Sequence, residues 1–135
     1  MTFYLLIPLV VLLSFKNPTK VELVGKWAYE GAVNKNNKTD CCTECPDLIE
    51  FRSNNSYIVM NDCYGADPMK PIVETGKWEV AESSKKVILK ERKFTTNHYL
   101  YSPKKQIELA IISFDGKKLK VRYAQGKIEQ YTREK

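Results

Sequence analysis

From Gly25 onward, apolar and polar positions alternate along the chain in short runs, and no segment sustains a 3.6-residue period. Such alternation predicts half-buried strands, here over residues 25–33, 48–52, 56–61, 72–80, 86–91, 94–101, 106–114, 118–124 and 127–133. Residues 18–23 read as a short lead-in. The runs are separated by compact turns rich in residues that tolerate positive φ: Ser53-Asn54-Asn55, Glu82-Ser83-Ser84, Asp115-Gly116 and Gln125-Gly126. Connections this short pair neighbouring strands in chain order. A meander of eight to nine strands loses its exposed edges most simply by closing on itself. The expected fold is therefore all-β, an antiparallel up-and-down barrel, with two longer connections at 34–47 and 62–71.

The segment before the strands is different. Residues 3–15 carry no charge and are dominated by Leu, Val and Ile, then Lys16, Asn17 and Pro18 follow at once. A run of this length falls short of the roughly 20 residues a membrane span requires. It matches the apolar core of an export signal. The expected organisation is a signal peptide or uncleaved anchor over residues 1–17 and one barrel domain over 18–135, placing the protein outside the cell, in the periplasm or in the cell envelope.

Composition adds one asymmetry. The chain has 135 residues and a net charge of +6, but residues 1–84 hold 8 basic and 11 acidic groups while residues 85–135 hold 14 basic and 5 acidic. Lysine supplies 18 of the 22 basic residues, interleaved with apolar ones along the strands, which describes a solvated outer face. Nucleic-acid binding would call for clustered arginine and aromatic platforms, so no nucleic-acid partner is expected. An anionic membrane or glycan surface remains in view.

All four cysteines, Cys41, Cys42, Cys45 and Cys63, fall in the two long connections. In an oxidising compartment an even number of thiols pairs into disulfides, which would staple these loops to the barrel. Joining adjacent Cys41 and Cys42 strains the peptide between them. Two connectivities remain, in which Cys63 takes Cys41 or Cys42 and Cys45 takes the other. The rival reading is a metal site at Cys42-x-x-Cys45 completed by Cys63 with Cys41 or His98, but a second closely spaced ligand pair is missing, and no metal or cofactor is expected.

Two segments share a pattern: Gly25-Lys26-Trp27 opens the first strand and Gly76-Lys77-Trp78 lies in the fourth. A Gly-x-Trp at the head of hairpin-linked strands resembles the first signature of the lipocalin group, and the whole resembles short lipocalin-like domains of exported bacterial proteins. The resemblance implies a tryptophan packed across the closed end of the barrel with an arginine over its ring. Arg133 is the first candidate for that arginine and Arg122 the second. Gly25, Trp27, Gly76, Trp78 and Arg133 are thus expected at one barrel end. The group's second signature, Thr-Asp-Tyr, is missing from the later half.

A barrel of about eight strands is either filled by its side chains or just wide enough for one small ligand. Alternation in phase with the tryptophans turns Tyr29, Phe51, Tyr57, Ile72, Leu89, Leu109, Ile111, Val121 and Tyr123 inward. Tyr29, Phe51, Tyr57, Tyr99 and Tyr123 are the candidate ligand-binding residues, apolar walls with phenolic tips. No catalytic constellation is visible: His98 is the only histidine, and Glu74 and Glu79 fall on opposite faces of one strand, so no enzyme activity is expected. Two functions follow from this reading. One is a module binding a small hydrophobic molecule inside the barrel. The other is a filled envelope domain that contacts a protein or an anionic surface through its basic half or through a patch around Tyr64, Pro68, Met69 and Pro71.

Overall fold

The computed structural model describes residues 18–33, 39–40, 47–61, 72–81, 83, 85–95, 99–123 and 126–135. The expected leader, the four cysteines, His98 and the Tyr64, Pro68, Met69 and Pro71 patch all lie outside the described residues.

Thr19 caps a single helical turn, α1 (Lys20–Leu23): its hydroxyl accepts from the Glu22 N–H while the Glu22 carboxylate accepts from the Thr19 N–H. Periodicity does not show this turn, because four residues are too few for a period; its sign in the sequence is the Thr19-x-x-Glu22 spacing. Nine strands follow among the described residues: β1 (Gly25–Val33), β2 (Thr39–Asp40), β3 (Asp47–Phe51), β4 (Ser56–Asn61), β5 (Ile72–Ala81), β6 (Lys86–Phe94), β7 (Ile107–Phe114), β8 (Lys118–Arg122) and β9 (Ile128–Arg133). Strand β1 and strands β3 to β9 pair antiparallel in chain order, and β1 then pairs with β9 from Trp27↔Arg133 to Ala32↔Glu129. The result is a closed eight-stranded up-and-down barrel. Strand β2 adds only two rungs to the far end of β1, Ala32↔Asp40 and Val33↔Thr39.

Inside, the alternating positions meet. Trp27, Phe51, Tyr57, Val59, Trp78, Val87, Leu89, Leu109, Leu119, Val121 and Tyr131 are all buried in one continuous core. At 25 cal/mol per Å² of apolar surface withdrawn from water, each large side chain contributes on the order of 1.5–3 kcal/mol.

Two bulges alter the expected pattern. Between Val59↔Glu74 and Met60↔Ile72 strand β5 carries an extra residue, Val73, so Val73 is buried and Ile72 is 42% exposed beside the outward Met60. The inward placement expected for Ile72 is thereby corrected. Between Thr75↔Lys93 and Lys77↔Lys90 the register slips again, leaving Gly76 opposite both Glu91 and Arg92. Glu91 sits in the left-handed region at φ 50°. That slip reverses the phase of β6, so Arg92 takes the inner face in place of Glu91, and β6 runs on to Phe94. The separate strand expected over 94–101 is not formed: residues 99–106 belong to no strand, because other groups take up their backbone hydrogen bonds.

Candidate functional site

Both tryptophans lie at the end of the barrel that α1 covers, each held in the same manner. The Trp27 indole N–H donates to the Leu23 carbonyl at 2.9 Å, and the Trp78 indole N–H to the Arg52 carbonyl at 2.9 Å. Phe114 packs against Trp27 with ring centroids 6.1 Å apart, and Phe51 against Trp78 at 4.7 Å. A cation covers each ring: the Arg133 guanidinium lies 4.3 Å from the Trp27 centroid and Lys20 Nζ 5.5 Å from that of Trp78. Such contacts are worth about 0.5–2 kcal/mol each.

Arg133 also donates to the carbonyls of Gly116, Val24 and Glu22, tying the last strand to the first connection. Gly25 makes room for it, because a Cβ there would stand 2.8 Å from Arg133 Nη1, and its φ of 135° is closed to other residues. Arg122 is exposed and takes no part. Gly76, two residues before Trp78, lies under the Tyr57 ring, where an added Cβ would meet Tyr57 Cε1 at 2.6 Å and the Lys90 carbonyl at 2.8 Å.

A buried ion pair that the sequence reading missed organises the interior beyond Gly76. Glu74 and Arg92 are both 0% exposed. Arg92 Nε and Nη2 donate to the two Glu74 carboxylate oxygens at 3.2 and 2.8 Å. The remaining guanidinium hydrogens go to backbone carbonyls: Nη1 to Ser102 and Lys104 at 2.7 Å each, and Nη2 to Leu100 at 2.6 Å. Glu74 in turn accepts the Leu100 N–H at 2.9 Å and the Tyr57 hydroxyl at 2.7 Å. All five guanidinium donors and all four carboxylate lone-pair positions are engaged. With every donor and acceptor engaged, the cluster works as a clamp. It fixes the backbone of residues 100–104, hereafter the strap, against the barrel wall.

The clamp sets the Leu100 side chain into the core and Tyr101 beside it. Tyr101 holds φ 67°, a rare conformation for an aromatic residue, and two partners fix it there. Its hydroxyl is 2.6 Å from that of Tyr131, and its ring stacks on Tyr123 with centroids 5.0 Å apart. Tyr29 packs on Tyr131 at 5.5 Å, with the buried Glu129 carboxylate close to its hydroxyl. Burial lifts the phenols of Tyr29, Tyr57, Tyr101 and Tyr131 above their ordinary range, and the neighbouring carboxylates Glu129 and Glu74 push Tyr29 and Tyr57 further up.

Of the five candidate ligand residues, Phe51 and Tyr57 stand opposite each other across β3 and β4, and each makes its own contacts. Phe51 belongs to the tryptophan end, Tyr57 to the clamp, and Tyr29 and Tyr123 to the tyrosine group. Tyr99 is 39% exposed, edge-on to Phe94 at 5.8 Å. Between Ile49, Leu109, Val121 and Tyr131 the core keeps a space of about 10 Å³, room for one water molecule at most. No group of three or more His, Cys, Asp or Glu able to hold a metal occurs among the described residues, and no helix among them is long and apolar enough to cross a membrane.

On the outer face of β4, β5 and β6 the second bulge opens a groove of about 650 Å³. Ile58, Thr75 and Lys77 form its bed, and Arg52, Lys93 and Lys105 its margin.

No protein-family model matches the chain, and no curated protein sequence matches it.

Proposed function

We propose that this chain is an exported lipocalin-like module with a filled barrel, working through its outer surface on an anionic partner instead of carrying a molecule inside. The observation behind this reading is the strap. Leu100 and Tyr101 occupy the interior beyond the clamp, and the space between Ile49, Leu109, Val121 and Tyr131 is about 10 Å³. A carrier would call for a cavity of roughly 300–1,000 Å³. The arrangement of Gly25, Trp27 and Arg133 at the helix-covered end supports the lipocalin-like assignment. The lysine-rich second half of the chain supports the anionic partner.

Titration with an apolar fluorophore whose emission rises in dry surroundings tests this. The filled barrel predicts no saturable signal. A one-to-one isotherm lost in a Leu100→Trp variant, which would crowd the same space, would return the interior to a binding role.

A further inference from the structure

We infer that the groove on the outer face of β4, β5 and β6 is a binding site for an acidic polysaccharide; this rests on the surface-acting reading above. The groove holds four cationic side chains, Arg52, Lys77, Lys93 and Lys105, against one lining carboxylate, Glu91. Lys77 pairs with that carboxylate at 3.0 Å and Arg52 with Glu50 at 3.3 Å, so the uncompensated charge of the groove is that of Lys93 and Lys105. The charge of Arg92, at the floor, is already balanced by Glu74 inside the barrel. Cations of one sign along a concavity draw anions from solution and hold them by several weak contacts at once.

The shape then chooses among anions. The strands beneath the groove, β4, β5 and β6, are paired with one another apart from the bulges, and on the β6 edge beyond Leu89, which β7 does not pair, the Arg92 N–H is bonded to the Lys105 carbonyl, so an acidic peptide finds little free edge to join as an added strand. The aromatic lining residue, Tyr57, is 0% exposed, so a nucleic acid finds no ring on which to stack a base and a membrane finds no aromatic anchor. A concave bed also turns away from a flat bilayer. An acidic polysaccharide needs neither strand pairing nor stacking. It offers repeated carboxylates or sulfates to the lysines, and hydroxyls to Thr75 and Glu91.

The test is the affinity of the full chain for polygalacturonate, measured by calorimetry at about 0.1 M salt. Neutral dextran, poly-glutamate and vesicles containing phosphatidylglycerol serve as comparators. The groove predicts saturable binding to the polyuronate that is tighter than to poly-glutamate or vesicles and absent with dextran. Lys93→Glu with Lys105→Gln should weaken it about tenfold, while Lys118→Glu with Lys135→Glu, on exposed positions across the barrel, should change it less than about twofold. Should the groove pair lower the thermal midpoint, Lys93→Gln alone should still weaken binding by about threefold.

Absence of polyuronate binding, equal losses from both pairs, or preference for the peptide or the vesicle would each overturn the assignment. The fluorophore titration reads the interior independently. A barrel that proves hollow while the groove variants lose polyuronate would sink the surface-acting reading and leave this site standing.

Discussion

Arg92 reaches the interior because Glu91, at φ 50°, steps out of the strand's alternation, and the guanidinium then finds Glu74 waiting on the inner face of β5. Removing one partner of a buried pair leaves an uncompensated charge, so Arg92→Met should lower unfolding free energy by about 3–5 kcal/mol in denaturant titration. Pairing it with Glu74→Leu should recover part of that loss, a coupling a double-mutant cycle reads directly. Gly76→Ala should cost about 1–3 kcal/mol, since its Cβ would crowd both the Tyr57 ring and the Lys90 carbonyl, and the latter cannot swing away.

The buried phenols link stability to alkali. Tyr29, Tyr57, Tyr101 and Tyr131 hold their protons above the ordinary value of 10.0, so the folded state keeps protons that the unfolded chain releases. Their contribution is whole below about pH 10 and falls away as pH rises further. An absorbance titration of phenolate should therefore show these four ionising together with the loss of far-ultraviolet dichroism, not before it. At this scale the sequence was partly readable: Glu74 stands in phase with Gly76 and Trp78, a carboxylate on an inward face that calls for a partner. Its partner was hidden, because the period that places residues on faces breaks at the bulge just before Arg92.

Among the elements, β1 and β4 keep the bounds expected from their sequences to the residue, and β3, β7, β8 and β9 within two, although a bulge at Glu30 interrupts the alternation inside β1. Their hairpins carry turn residues that state where the chain reverses. Gly116 at φ 89° is one, and beside it Asp115 accepts the N–H groups of Lys117 and Lys118, which hold its carboxyl below the usual range. The strap was illegible for the opposite reason. Phe94 to Tyr101 has strand-like composition, but its end is organised by a guanidinium and a carboxylate from other strands, and local propensity does not report on those. The strap should accordingly exchange its hydrogens like a core strand. The Leu100 amide, bonded to Glu74, is expected to be protected to nearly the level of β5, and Arg92→Met should release it while the amides of β8 and β9 stay slow. Fast exchange of Leu100 in the native chain would mean that the clamp does not hold the strap.

For the whole molecule, closure followed from short connections and the need to hide edges, both written in the sequence. The contents of the barrel did not. Tyr29, Phe51, Tyr57 and Tyr123 fit the wall of a pocket as well as a solid core, and the difference lies in Leu100 and Tyr101, which the strap brings in from outside the expected inward set. On the outer surface the bulged β5–β6 pair gathers lysines around a groove, which is where the proposed recognition would take place.

The most direct test of a filled barrel is the mass of the intact protein sprayed from native buffer, compared with its mass after denaturation. Equal masses are the predicted result. A native mass larger by a few hundred daltons, lost on unfolding, would show a molecule carried inside and contradict the account.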